Sequence, residues 1–313
     1  MGRPVVETAS IETFPLKIGT APVNWNNFDL ENWRPTVPFP AILDEMKAAG
    51  YSATEWDASF GTDPGTLSRE IVQRDMSYTG AYRWLDFLHD DAFARDLADL
   101  APFLDVLTGI GANHLIVADR LRPERVACAG AVPADGSRSI DDDGFRNISR
   151  NLTILAEHVA PLGIRVHYHN HAGTFVETPS EVRALASQLE GSPVDLCFDT
   201  GHYAYGGGDA RAFLAEYIDS IGYLHLKDVN GGILAEARQK GWSFLEGLRH
   251  IIFCPLSAGQ AEIPAIVATL MANRFDGWVI VEQDTCEGDS TRNARANLDT
   301  ILALAQFGKD LAP

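Results

Sequence analysis

Short apolar runs alternate with amphipathic segments along most of this chain, and each pair has the length of a strand followed by a helix. The first strand predicted is Lys17–Asn24. The first helix is Pro40–Ala49, where Ile42, Leu43 and Met46 fall at helical spacing and Gly50 supplies the stop. Thr54–Asp57, Tyr78–Tyr82, His114–Ala118, Ile164–His169, Val194–Asp199, Tyr223–Lys227 and Gly277–Glu282 read as further strands. Helical periodicity fills Ser68–Arg74, Asp91–Ile110, Asp143–Leu162, Ser180–Leu189, Ala210–Ile221, Ile263–Asn273 and Thr291–Phe307. Residues 119–140 lack a period and contain Pro123, Gly130, Pro133 and Gly136, which predicts a long loop. Residues 228–262 predict a second insertion, helical near Phe244–Leu248.

Repeated strand–helix units imply parallel strands with right-handed crossovers, and eight of them close into a barrel. The fold class expected is therefore α/β, a single (β/α)8 TIM barrel over residues 16–313, with residues 1–15 as an N-terminal extension. An open doubly wound sheet would call for a glycine-rich turn after the first strand, and no G-x-G-x-x-G occurs. Gly206–Gly208 follow strand six and suit a tight turn better than a phosphate cradle.

A barrel brings its strand C-termini to one mouth. Strand five ends in His169, Asn170 and His171, and strand six in Asp199, Thr200, Gly201 and His202. Strand seven carries His225, Lys227 and Asp228, and strand eight Glu282, Gln283 and Asp284. Each residue alone has an ordinary structural role open to it: Asp199 as a helix cap, Glu282 as an arginine partner, His114 as a hydrogen-bonded core group. Carboxylates and imidazoles on four adjacent strands point instead to a divalent metal, Mn2+ or Co2+ before Zn2+, Fe2+ or Mg2+.

Composition narrows the function. Of 313 residues, 25 are Lys or Arg and 43 Asp or Glu, a formal charge of −18. Such a surface repels nucleic acid and anionic lipid, leaving a small-molecule partner. No apolar run approaches the roughly 20 residues of a membrane helix. Cys128, Cys197, Cys254 and Cys286 form no C-x-x-C pair, which suits reduced thiols in a cytoplasmic protein. A homo-oligomer is left open.

Cys197-Phe198-Asp199-Thr200-Gly201-His202, His225-Leu226-Lys227-Asp228 and Gly277-Trp278-Val279-Ile280-Val281-Glu282-Gln283-Asp284 resemble the strand-six to strand-eight motifs of the xylose-isomerase-like sugar isomerase/epimerase family. Gly19-Thr20-Ala21-Pro22-Val23-Asn24-Trp25, Tyr168-His169-Asn170-His171-Ala172-Gly173-Thr174 and Phe253-Cys254-Pro255-Leu256 are similar to its inosose dehydratase branch. The resemblance spans residues 17–305. It implies that Asp199, His225 and Glu282 are metal ligands. The family's strand-five glutamate is replaced by His169, the expected fourth ligand, with Glu177 as the alternative.

The activity implied is dehydration of a cyclic polyol ketone such as inosose, with a sugar or cyclitol ketone as the small-molecule partner. Glu282, His169, Lys227 and His202 are the candidate catalytic residues. Asn24, Trp25, Glu55, His171, Glu177 and Asp228 are the candidate substrate contacts. Trp56, Trp84 and Asp57 are further candidates for a sugar ring or its hydroxyls. Trp242 and Phe244 are expected in a lid. The rival activities are a ketose 3-epimerase or aldose–ketose isomerase on the same metal site. A barrel endonuclease is disfavoured by the charge, and a metal-dependent sugar-binding barrel is the non-enzymatic alternative.

Overall fold

The computed structural model describes residues 16–310, and the extension expected at residues 1–15 lies outside them. Lys17–Thr20, Ala53–Trp56, Ser77–Leu85, His114–Asp119, Arg165–His169, Asp195–Asp199, Ile221–Leu226 and Trp278–Val281 close into a barrel of parallel strands. Neighbours pair in chain order, and strand one closes the ring by pairing with both strand two and strand eight. The register Lys17↔Trp278 to Thr20↔Val281 brings the end of strand one level with that of strand eight. These are the barrel strands one to eight.

Most of the apolar core lies between strands and surrounding helices, where residues such as Ile42, Leu107, Leu152, Phe213 and Ile266 are buried. Each fully buried large aliphatic or aromatic side chain stabilises the fold by about 1.5–3 kcal/mol. A second, small cluster of Ala21, Ile116, Cys197, Tyr223 and Ile280 fills the barrel axis. Below the mouth the axis turns polar. His114 Nδ1 lies 2.8 Å from His167 Nε2, and the Tyr223 and Thr79 hydroxyls are 2.9 Å apart. His114 is thus a hydrogen-bonded interior group, away from the candidate metal ligands.

Several elements depart from the pattern-based expectation for identifiable reasons. Strand one ends at Thr20 rather than Asn24, because Pro22 has no N–H for the ladder and opens a 3-10 turn, Pro22–Asn24. The long helix expected over Asp91–Ile110 is two helices, Asp90–Ala98 and Ala101–Gly109, with Pro102 in the first turn of the second, where no donor is needed. The loop over residues 119–140 contains one short helix, Pro123–Val126. All six residues of Thr200–Tyr205, a helix directly after strand six, are buried, so no polar face marked it in the sequence.

The insertion at residues 228–262 is folded, with helices Gly231–Lys240 and Phe244–Arg249 and an antiparallel ribbon pairing Asp228–Val229 with Phe253–Cys254. The lid expected there is instead a packed wall. Phe244 is buried against His171, while Trp242 stacks on His250 at 3.8 Å and stays away from the mouth.

Candidate active site

Two cavities of similar size open at the two ends of the barrel. One, about 500 Å³, lies at the N-terminal end among Lys17, His114, Arg165 and Trp278 and holds none of the candidate ligands. The other, about 470 Å³, lies at the C-terminal mouth and is lined by Glu55, His169, His171, His202, His225, Lys227, Glu282 and Asp284. Chemistry concentrates in the second, where loops after parallel strands converge.

The strand-six motif shows why these residues stand in this order. Asp199 ends the strand and caps the helix Thr200–Tyr205, its Oδ1 accepting from the His202 N–H at 2.7 Å. That leaves Oδ2 directed at His169 and Lys227, so the carboxylate serves as cap and site group at once. Thr200 ties strand six to strand seven: its hydroxyl donates to the Lys227 carbonyl at 2.6 Å and accepts from the Lys227 N–H at 3.0 Å. Gly201 follows because a Cβ there would sit 2.7 Å from Lys227 Cγ. Asn170 performs the same bridging between strands five and six, its amide donating to the Asp199 carbonyl at 3.1 Å and accepting from the Asp199 N–H at 2.9 Å.

His169, Asp199, His225 and Glu282 each offer an atom, and these atoms lie within 4.8 Å of one another. A cation about 2.1 Å from each ligand sets opposite ligands roughly 4.2 Å apart, so the cluster has the right scale for one ion. These donor atoms face one another and Lys227. Both ring nitrogens of His169, Oδ2 of Asp199 and Nδ1 of His225 are buried without a hydrogen-bond partner among the described residues. Orphaned buried groups of this kind are costly, and a metal would satisfy them. Burial drives the His169 ring down to about 4, leaving it neutral with a lone pair to donate. The Asp199 carboxyl is pushed up by burial but pulled further down by Lys227 and His169, so it stays ionised.

Lys227 projects into the same cluster. Its Nζ lies 2.6 Å from Asp284, 3.1 Å from Glu282 and 3.3 Å from Asp199. Burial opposes its charge, but those acids outweigh it and hold the pKa well above the ordinary value. Burial raises Asp284 to about 7 despite Lys227. The role of Asp284 is visible only once the strand ends are assembled.

His171 and His202 stack with ring centroids 3.8 Å apart. One residue governs both. The Ala172 carbonyl accepts from His171 Nδ1 at 2.7 Å, while the Ala172 N–H donates to His202 Nδ1 at 3.3 Å. Burial holds both rings neutral, so His171 keeps its lone pair on Nε2 and His202 carries its proton on Nε2. Lys227 has three carboxylates for its three protons, so it does not require an acceptor in His202 Nε2, 3.3 Å away.

Four expected substrate contacts lie elsewhere. Asn24 bonds Thr20 and the Val281 carbonyl and accepts from the Gln283 N–H, lacing strand one to strand eight. Trp25 is fully buried, its indole donating to Glu45 at 2.7 Å, and does not line the cavity. Glu177, the alternative strand-five ligand, accepts from the Gly130 and Gly173 N–H groups at 2.6 and 2.7 Å and faces Arg125 at 3.8 Å. Asp228 accepts from the Val229, Gly259 and Ala261 N–H groups and folds the insertion back on itself. Three are held by loop or strand-end backbone and Trp25 by the Glu45 carboxylate, demands that sequence spacing does not reveal.

Glu55 does line the cavity, yet its Oε1 lies 2.9 Å from His225 Nε2, so it braces a candidate ligand. Trp56, Asp57 and Trp84 line the mouth as expected, together with Phe28, Asp29, Tyr82 and Phe103, which no pattern had marked.

Comparison with known proteins agrees with this fold. The family model described as xylose isomerase-like TIM barrel matches residues 43–304. The rhizopine catabolism protein MocC of Rhizobium meliloti is 30% identical over 292 residues, covering 93% of this chain and 89% of that protein. An inosose dehydratase of Lacticaseibacillus casei is 29% identical over 296 residues, covering 93% of this chain and 99% of its own. Among solved structures, an L-ribulose 3-epimerase superposes with a TM-score of 0.70 at 15% identity, covering 94% of this chain and 96% of that one, a likeness of fold.

Proposed function

Because the chain belongs to the xylose isomerase-like TIM barrel family, we propose that it is a metal-dependent dehydratase acting on a cyclic polyol ketone of the inosose kind. The observation that carries this reading is the cluster of His169, Asp199, His225 and Glu282, whose donor atoms lie within 4.8 Å and include buried, unpartnered ones. The similarity to inosose dehydratases over most of the chain supports the reaction class. No described helix is long and apolar enough to cross a membrane. A cytoplasmic location belongs to the same reading.

A divalent cation in this cluster, Mn2+ or Co2+ by preference, would polarise the ketone and acidify the adjacent C–H. The protein's own groups do the rest. Glu282 is the carboxylate placed to take the C–H proton. The Lys227 ammonium, fixed by Asp284, puts positive charge where negative charge develops on the substrate oxygen. His202 donates a hydrogen bond from Nε2 to the departing β-hydroxyl, which leaves as water with the proton that Glu282 took from carbon. His171 presents a lone pair and accepts a hydrogen bond from a ring hydroxyl. One C–H and one C–O bond break and a C=C bond forms, leaving an enol that tautomerises to the dione.

Replacement of a glutamate by His169 on strand five makes the two faces of the site unlike. Unlike acid and base partners favour elimination over the symmetric proton exchange of an epimerase. The test is incubation of metal-loaded protein with inosose and with free ketoses. Ultraviolet absorbance of a dione marks elimination, whereas a product of unchanged mass marks isomerisation and selects the epimerase reading. His169→Glu should raise exchange relative to water loss, and an unchanged ratio argues against the role given to this histidine.

A further inference from the structure

The segment joining strand one to the helix Phe39–Ala49 passes across the mouth and is fastened by two asparagines. Asn26 forms a peptide-like pair with Val37, donating to its carbonyl at 2.8 Å and accepting from its N–H at 2.9 Å. Asn27 donates to the Asp284 carbonyl at 3.1 Å, anchoring the segment beside the metal cluster. The Asn27 Oδ1 also accepts from the Asp29 N–H at 2.9 Å, a local turn that fixes the backbone between the two fasteners. Phe28 and Asp29, on that turn, both line the cavity.

Neither side chain is used by the fold. Phe28 is 60% exposed, and among the described residues it is the one exposed large hydrophobic that lines the mouth. The Asp29 carboxylate has no hydrogen bond or ion pair to any described residue. It stands exposed at the rim of the mouth, where crowding by neighbouring groups raises its pKa and Lys227 offsets the effect only in part. An apolar face beside an unpaired acceptor is what a cyclic polyol needs, since its ring offers a C–H face and a rim of hydroxyl donors. Trp56, Trp84 and Phe103 supply further aromatic lining to the cavity.

We propose that Phe28 and Asp29 form the outer clamp on the substrate: the phenyl ring packs on the C–H face, and the carboxylate accepts hydrogen bonds from ring hydroxyls remote from the reacting carbon. The proposal rests on the cyclic polyol ketone reading above and sharpens it to an unphosphorylated substrate. A phosphate group would bring its charge beside Asp29, while of the cations lining the cavity Lys227 is engaged by three acids and Arg120 by Asp96, leaving Arg83, whose guanidinium lies over the Phe103 ring.

The test is calorimetric binding and steady-state kinetics on metal-loaded wild type, Asp29→Asn and Phe28→Ala, using inosose, neutral ketohexoses, a 3-keto-glucoside and a ketohexose phosphate. A hydrogen bond to a charged group and a stacked ring each correspond to about a tenfold change in affinity. Both variants should therefore raise Kd and KM about tenfold for the neutral ligand that wild type binds best, with kcat, metal content and thermal midpoint little changed. Phe28→Tyr should restore most of the loss at its position. Unchanged affinity in both variants overturns the clamp, as does a wild type that prefers the phosphorylated ketose. If wild type leaves inosose unconverted, the dehydratase reading falls, and the clamp is still decided by the affinities for the best-bound neutral ligand.

Discussion

Glu55 Oε1 lies 2.9 Å from Nε2 of His225, whose Nδ1 lies 3.1 Å from Glu282. One imidazole is thus gripped by carboxylates on both sides, and the Glu55 contact decides which nitrogen faces the cluster. A carboxylate behind a ligating histidine fixes the ring's tautomer and angle and strengthens its basicity. Glu55→Gln should weaken metal retention about 10- to 100-fold while leaving the fold intact. Metal titration with circular dichroism on the same samples checks this, and equal affinity in the variant would remove the bracing role.

His169 and Glu177 can be separated in the same way. Glu177 is held by two backbone N–H groups and faces Arg125, away from the cluster. Glu177→Gln should keep its metal on dialysis and lose stability, whereas His169→Ala should lose metal and largely keep stability. Elemental analysis and thermal melts give the two readouts, and the reverse pattern would make Glu177 the ligand.

Gly201→Ala should be disproportionately harmful for one methyl group. The added Cβ would meet Lys227 Cγ at 2.7 Å and Lys227 Cβ at 2.8 Å. Overpacking of this kind costs about 1–3 kcal/mol, and relief would displace Lys227 from its three carboxylates. Denaturant unfolding and turnover should both fall, and a variant with wild-type stability and turnover refutes the packing account.

At the N-terminal end of the barrel, burial depresses His114 from 6.5 to about 4. The unfolded chain therefore takes up this proton first as pH falls. Its stabilising contribution is complete above pH 6.5 and is lost progressively as pH drops toward about 4, by about 3 kcal/mol in all. His114→Asn keeps a donor near the position of Nδ1 without the titration. Its thermal midpoint should vary less over that interval than that of wild type, and parallel profiles would exclude His114 as the source.

The barrel and its strand-end carboxylates and imidazoles were legible in the sequence because both rest on local patterns. Alternation of period 2 and period 3.6 marks strands and helices, and a strand's last residue faces the mouth whatever lies around it. So the strand ends that carry His169, Asp199, His225 and Glu282 were found by position, and the family resemblance singled these four out as candidate ligands. The tight juxtaposition of Thr200, Gly201 and Lys227 is likewise written into adjacent residues of two motifs.

Tertiary structure decided the rest. Asn24, Trp25, Glu177 and Asp228 are polar or aromatic residues in the right neighbourhood, but backbone groups or core partners distant in sequence claim them first. Asp284 became the partner of Lys227, and Phe28 and Asp29 reached the mouth, through contacts that no periodicity encodes. A chain can announce which side chains a strand delivers, because that depends on residues next to one another. Which of them remain free for chemistry depends on who arrives from across the fold, and only closure of the barrel settles that competition.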